Sequence, residues 1–152
     1  CGAHAMDIMR MESGFLHWGH DISPAENQLE SGLNFAISFK KNYDFVGKQA
    51  LLRINPDKIK KKFVMLTLDN SKPGKPLALH FEPIYIDDKI CGNTTSANYS
   101  FNYKKSLLFG YVSTDHKIEE LLEKKIEVEI EKVKYKASLL LKPLKDAKIR
   151  IN

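Results

Sequence analysis

Ile126-Glu127-Val128-Glu129-Ile130-Glu131 is the stretch that decides the fold class. Apolar and acidic residues alternate strictly, so an extended chain here puts Ile126, Val128 and Ile130 on one face and the glutamates on the other. That is the pattern of an antiparallel strand with one face on a core and one in water. After a turn near Lys132, the residues Val133, Tyr135, Ala137 and Leu139 continue the same period, which predicts an antiparallel partner. Towards the amino terminus, residues 107–112 read as a buried strand and residues 63–68 as another. Pro83-Ile84-Tyr85-Ile86 and Lys89-Ile90 flank Asp87-Asp88 and read as a hairpin. Residues 94–100 are rich in β-branched and turn-forming types, and residues 117–124 suit one or two helical turns. Several short strands packed into one stretch of chain predict a small antiparallel barrel of Greek-key type.

The first part of the chain has a different character. Residues 3–13 lack Gly and Pro, repeat Ala5, Met6 and Met9 at helical spacing, and meet Gly14 where a helix would stop. A polar, Gly-containing loop follows over residues 17–32. Residues 34–39 alternate like a strand, and residues 46–54 read as a short helix between Gly47 and Pro56. The expected fold is therefore mostly β with some helix (α+β): a helix, loop and strand segment over 1–56, then the barrel over 57–152.

Composition narrows the function classes. The chain has 152 residues, 43% of them hydrophobic and 28% charged, which suits one globular core. Of its two cysteines, Cys1 sits at the chain end, so no stabilising disulfide is expected and a reducing, cytoplasmic setting is. No apolar run approaches the roughly 20 residues that span a bilayer, so no membrane partner is expected. No basic-then-apolar leader is present, and an opening Cys1-Gly2-Ala3 reads as the interior of a larger protein. The net charge of +5 invites a nucleic-acid reading, but the lysines are scattered apart from Lys58, Lys60, Lys61 and Lys62. That group follows Pro56-Asp57 and reads as a solvated linker, with an anion site as the other reading. No stripe of aromatic and basic residues is evident, so nucleic acid is not expected as a partner.

Few residues offer chemistry. Glu12 falls in the last turn of the expected first helix, where the dipole makes a carboxylate locally unfavourable by a few tenths of a kcal/mol, roughly. Such local violations gather at functional or packing-determined positions. A solvated Glu12, or one paired with Arg10 or Lys41, is the alternative. His17, His20 and Asp21 are ligand types in close spacing, but zinc needs a third or fourth ligand of defined geometry, and His4, His80 and His116 bring no supporting motif, so no metal is expected. Trp18, the single tryptophan, is either a packing anchor or a wall of a ligand pocket. Thr94-Thr95-Ser96 has no base positioned by sequence, and no dinucleotide fingerprint, Walker loop, nucleophile elbow or Cys-x-x-Cys occurs.

These segments, taken in order, resemble one family. Arg10-Met11-Glu12-Ser13-Gly14 is similar to the Arg-Leu-Glu-x-Gly segment of the glycine-cleavage T-protein family, and Trp18-Gly19-His20-Asp21-Ile22 to its Trp/Tyr-Gly-x-Asp-Ile loop. Leu29-Glu30-Ser31-Gly32-Leu33 and Phe45-Val46-Gly47-Lys48-Gln49-Ala50-Leu51 follow its pattern too. Gly92-Asn93-Thr94-Thr95-Ser96, Tyr99-Ser100, Lys105-Ser106-Leu107 and Gly110-Tyr111-Val112 resemble the barrel signature of the dimethylglycine and sarcosine dehydrogenase branch.

The resemblance implies a tetrahydrofolate-dependent aminomethyltransferase module that moves a one-carbon unit from a glycine derivative to tetrahydrofolate. It makes 1–56 the end of the folate-binding domain and 57–152 the barrel domain. It implies folate contacts at Glu12 and at Lys41 (or its neighbour Lys40), with Trp18 as a third expected contact. Where the T-protein has arginine, this chain has lysine, which lacks the planar fork. The family's aromatic contact near the carboxy terminus has no match over residues 144–152. Its catalytic aspartate lies upstream of Glu12, so no catalytic residue is expected in this chain and the isolated chain is expected to be inactive. FAD is implied only for an upstream domain. The implied partners are folate, a methylamine substrate and the upstream domains of a parent chain. The other functional reading is a non-catalytic folate-binding module, similar to T-protein paralogues that serve RNA modification or iron–sulfur maturation.

Overall fold

The computed structural model describes residues 2–145. The readings placed on Cys1 and on residues 146–152 fall outside the described residues. Helix α1 (Ala3–Glu12) leads through loops to helix α2 (Lys48–Arg53) and then to six strands: β1 (Lys61–Leu68), β2 (Pro83–Ile86), β3 (Lys89–Ser100), β4 (Lys105–Ser113), β5 (Ile126–Ile130) and β6 (Val133–Leu140). They close into a barrel in the order β1-β4-β3-β2-β5-β6, every neighbour antiparallel. Strands β2, β3 and β4 form a meander and β5 returns beside β2, the Greek-key connection. No helix among the described residues is long and apolar enough to cross a membrane.

The alternation at the end of the chain holds residue by residue. Ile126, Val128 and Ile130 are buried in the barrel. Across the β5–β6 ladder Glu127 faces Lys136 and Glu129 faces Lys134, so the outer face sets opposite charges side by side. Tyr85 Oη on β2 donates to Glu129 at 2.6 Å, and Lys134 Nζ lies 3.7 Å from the Tyr85 ring centroid. Both tight turns of this region, Asp87-Asp88 and Glu131-Lys132, place two consecutive residues at positive φ. That backbone twist matches the twist of the flanking strands.

Strand β4 is buried from Ser106 to Val112 because both its faces are covered. Leu108 and Val112 join the barrel interior with Val64, Leu66, Ile84 and Val128. On the other face Leu107 and Phe109 pack under Met11 of α1, with Ile8, Phe63, Met65 and Leu140 around them. A strand covered twice reads as a continuous apolar run rather than an alternation. Helix α1 is thus fixed on the outside of the barrel. The chain turns away two residues past its end, at Gly14, whose φ of +76° suits glycine, and a Cβ there would meet Pro143 Cγ at 2.4 Å.

Two expectations need correction. Residues 34–39 are not a strand: Asn34–Ala36 is a 3-10 turn and residues 37–39 belong to no element. Phe35 is 86% exposed. The closed barrel has no open edge to offer these residues, and alternation without a partner ladder does not make a strand. The lysine group at 58–62 is not all linker. Lys61 and Lys62 begin β1; Lys61 Nζ pairs with Glu26 at 2.6 Å, and Lys62 Nζ donates to the carbonyls of Ile59 and Thr114. Burial lowers the pKa of the Lys62 ammonium, while Asp115 and Glu120 oppose that shift.

Of the glycines, Gly92 leaves the least room for a side chain, where β3 passes β4. A Cβ built there would lie 1.8 Å from the Tyr111 carbonyl oxygen. Gly92→Ala must push the two strands apart and is expected to cost about 2–3 kcal/mol or more. Urea unfolding should show a lower midpoint at unchanged slope. A wild-type midpoint would contradict this packing.

Candidate functional site

The outer face of β3 carries a stripe of small polar residues. Ser96, Asn98 and Ser100 alternate along the strand and so share one face. All three bond to the segment that holds α1. This explains why residues 94–100 look turn-rich in sequence and are strand in the structure: their side chains are chosen for hydrogen bonding.

Ser100 and its neighbour Asn102 hold Glu12. The carboxylate is 4% exposed. Ser100 Oγ donates to Oε1 at 2.6 Å, and Asn102 Nδ2 donates to Oε1 at 3.3 Å and Oε2 at 3.1 Å. These donors offset the unfavourable helix-end position. Glu12 is neither solvated nor paired with Arg10 or Lys41, the partners that spacing offered.

Ser96 belongs to a second carboxylate. Asp21 is 1% exposed. It accepts from Arg10 Nη1, from the His17 backbone N–H at 2.9 Å, from Thr95 Oγ1 at 2.5 Å and from Ser96 Oγ at 2.7 Å. Arg10 also donates to Asp7 at 2.8 Å, to the Phe15 carbonyl at 3.1 Å and to Ser96 Oγ at 2.7 Å. Asn98 Nδ2 completes the stripe with bonds to the His4 carbonyl and Asp7. A buried charge is tolerated when it is paired and its remaining sites are filled, as those of Asp21 are here. The hydroxyls of Thr95 and Ser96 thus have a carboxylate against them that spacing did not reveal, and their role is to hold it. Among the described residues no three His, Cys, Asp or Glu gather as a metal would require.

The loop tied down by Asp21 forms one wall of a cavity of about 470 Å³. Trp18, 65% exposed, lines it with Met6, Phe15, His17, His20 and His80. His17 and His20 stack at 4.4 Å between centroids, and His80 lies 5.6 Å from His20. The three expected folate contacts are therefore not brought together. Trp18 faces this cavity. Glu12 is absent from its lining. Lys41 lies on an exposed loop, where it lines a separate hollow with Tyr43 and Phe45.

Tyr111 Oη is buried without a hydrogen-bond partner among the described residues. Burial pushes this phenol well above its ordinary range, and the carboxylates of Glu26, Asp21 and Glu30 push the same way.

Two stability measurements follow. Asp21→Asn removes the charge opposite Arg10 and is expected to cost about 3–5 kcal/mol, as for any buried pair broken on one side. A loss below about 1 kcal/mol by urea unfolding would show the pair to be solvated. Tyr111→Phe removes an unsatisfied hydroxyl and should raise stability by about 1 kcal/mol. A loss instead would reveal a partner for the hydroxyl.

Comparison with known proteins agrees with this architecture. The family model of the glycine cleavage T-protein C-terminal barrel domain matches residues 61–146, and that of the GCVT N-terminal domain matches residues 1–41. Mitochondrial dimethylglycine dehydrogenase of Rattus norvegicus is 37% identical over 147 residues, covering 94% of this chain and 16% of that protein. An aminomethyltransferase of Symbiobacterium thermophilum is 32% identical over 117 residues, covering 76% of this chain and 30% of that protein. The chain thus spans less than a third of the length of these relatives. The crystal structure of the glycine cleavage system aminomethyltransferase T from Bartonella henselae shares the fold, with a TM-score of 0.75 at 19% identity over 93% of this chain and 38% of that one. With the barrel match alone covering more than half of its residues, the chain belongs to the glycine cleavage T-protein family, as a carboxy-terminal segment of the aminomethyltransferase and dimethylglycine dehydrogenase type.

Proposed function

We propose that this chain forms the folate-facing end of a tetrahydrofolate-dependent one-carbon transfer module and works as part of a longer protein. The observation that carries the proposal is the fixed, buried carboxylate of Glu12. A carboxylate offers about four acceptor positions, and Ser100 and Asn102 fill three of them. One position is left for an N–H donor such as those of a pterin ring. Buried carboxylates held by polar neighbours gather at functional sites because holding them costs stability. Trp18 adds an exposed aromatic face for stacking. Lys41, on its exposed loop, adds a positive charge suited to a carboxylate.

Tetrahydrofolate, when bound, accepts the one-carbon unit. This chain's own residues bind and orient it: Glu12 at the ring, Trp18 and Lys41 at its flanks. No residue of the chain is assigned a catalytic role. The proposed donor is a glycine derivative such as dimethylglycine, sarcosine or a carrier-bound aminomethyl group. In a dehydrogenase-type parent, FAD belongs to a domain outside this sequence. The proposed setting is reducing, which suits the free thiol of Cys91. The dehydrogenase to which the chain is similar is mitochondrial by name, so the cytoplasmic expectation widens to include that organelle.

The test is Glu12→Gln in the full-length protein. Losing a charged hydrogen bond to the ligand should weaken tetrahydrofolate binding about tenfold or more in equilibrium dialysis. Oxidation of the amine should stay near its wild-type rate in a dehydrogenase-type parent. Unchanged folate affinity would remove Glu12 from the site.

A further inference from the structure

We propose that the hollow between residues 71–79 and 97–106 is a docking site for an acidic protein segment, taken as an extended chain with large apolar side chains between carboxylates. Glu12, Trp18 and Lys41 are not among its walls, so it stands apart from the folate reading.

The two segments are joined before anything binds. Ser71 Oγ accepts from the Ser106 N–H at 2.8 Å. Further along, the Phe81 N–H donates to the Thr94 carbonyl and the Thr94 N–H to the Glu82 carbonyl. Thr94 Oγ1 donates to the Leu79 carbonyl and accepts from the Glu82 N–H, each at 2.9 Å. Between these anchors Ala78 is buried in the barrel core, and Ala97 packs against that core. The connection from β1 to β2 is thus a fixed wall, which lowers the ordering cost of association.

What this wall leaves uncovered is apolar. Leu77, Leu79 and Phe101 are 57%, 55% and 73% exposed, too much for core residues. With Tyr99, which meets Phe101 edge-on at 5.2 Å, they line a hollow of about 230 Å³. Small-ligand pockets run to roughly 300–1,000 Å³, so this one suits the anchoring side chains of a partner better than a whole ligand. The backbone N–H and carbonyl of Leu77 have no hydrogen-bond partner among the described residues. Strand addition takes its affinity from open backbone groups of this kind and its specificity from neighbouring hollows.

Charge selects the partner. Residues 71–79 and 97–106 hold four lysines, Lys72, Lys75, Lys104 and Lys105, and no acidic residue. All four are exposed, and among the described residues none is in an ion pair. The carboxylates that flank the first segment are engaged: Asp69 accepts from Ser138 and pairs with Lys136, and Glu82 accepts from the Leu79 N–H. Asp7 is paired with Arg10, and Glu12 is buried under Ser100 and Asn102. Carboxylates on either side of an apolar anchor would meet the four lysines, which steers approach and fixes register. An anionic bilayer would meet the same lysines, but it takes an apolar face that projects into it, whereas these side chains line a hollow.

The experiment titrates the full-length protein into a fluorescein-labelled peptide, Leu-Phe-Leu between three glutamates on each side, and follows polarisation. Saturable binding is expected with a Kd on the order of 10–100 μM. It should weaken about tenfold from roughly 50 to 300 mM salt. Lys72→Gln/Lys75→Gln/Lys104→Gln/Lys105→Gln should weaken it about tenfold and remove most of the salt dependence. Leu77→Ser/Phe101→Ser should cost about tenfold as well. The same two losses are expected, with the protein unchanged, when the peptide's glutamates become glutamines or its apolar residues become serines. The proposal is overturned by the absence of saturable binding up to about 1 mM. Binding that survives either protein variant overturns it too. So does equal or tighter binding of phosphatidylserine vesicles or of oligothymidylate that the same variants abolish, which gives the site to a membrane or a nucleic acid. Binding by the 152-residue chain but not by the full-length protein assigns the hollow to upstream residues of the parent, and also overturns it.

Discussion

The structure turns on a demand that low dielectric makes of charge: a buried carboxylate must be given donors. Two carboxylates from the amino-terminal segment, Glu12 and Asp21, are pressed against the barrel, and one face of β3 supplies what they need. Satisfying them fixes where α1 lies, how the Trp18 loop runs and which side of the barrel is covered. Removing a single member leaves a charge or a donor stranded. A wholly apolar replacement of the same shape would be tolerated far better, since buried ion pairs are weak sources of net stability. Their value is in specifying one arrangement, and here that arrangement shapes a cavity.

The barrel supplies the rigid half of this bargain. Each strand is paired on both sides, so the polar stripe of β3 is presented on a surface that cannot slip in register without turning its interior residues outward. β4 adds the apolar part of the same contact, with Leu107 and Phe109 beneath Met11. Polar and apolar contacts therefore act on one helix from adjacent strands. The apolar pair brings it close, and the hydrogen bonds set its rotation.

Much of the barrel was legible because the information was local. Ile126 to Ile130 declares its two faces within five residues, and Asp87-Asp88 sits between two β-forming runs. Residues 34–39 carry a similar alternation and misled, since whether a strand forms depends on a partner that sequence does not display. Helix α1 and its stop at Gly14 were legible for the same local reason. The site was much less so. Glu12 was conspicuous only through its conflict with the helix dipole. Arg10 and Ser96 meet across 86 positions of chain, and no spacing rule links them. Asp21 drew notice as a metal-ligand type beside two histidines, whereas its actual partners are an arginine, two hydroxyls and a backbone N–H. Three motifs that looked separate in the sequence, around residues 10–14, 18–22 and 94–100, are parts of one interlocked set.

The length of chain between those parts bears on the order of assembly. Each of the bonds that seat α1 on β3 joins residues more than 70 positions apart, so its loop-closure entropy is paid only once the intervening barrel exists. Helix α1 has ten residues, short for a helix that must persist alone in water. The amino-terminal segment is therefore a passenger in folding: it acquires its structure when β3 and β4 have already met. By the same token it can open without unfolding the barrel. The backbone amides of α1 should then exchange with solvent through a cheaper, local opening, while those of β3 and β4 wait for the whole molecule.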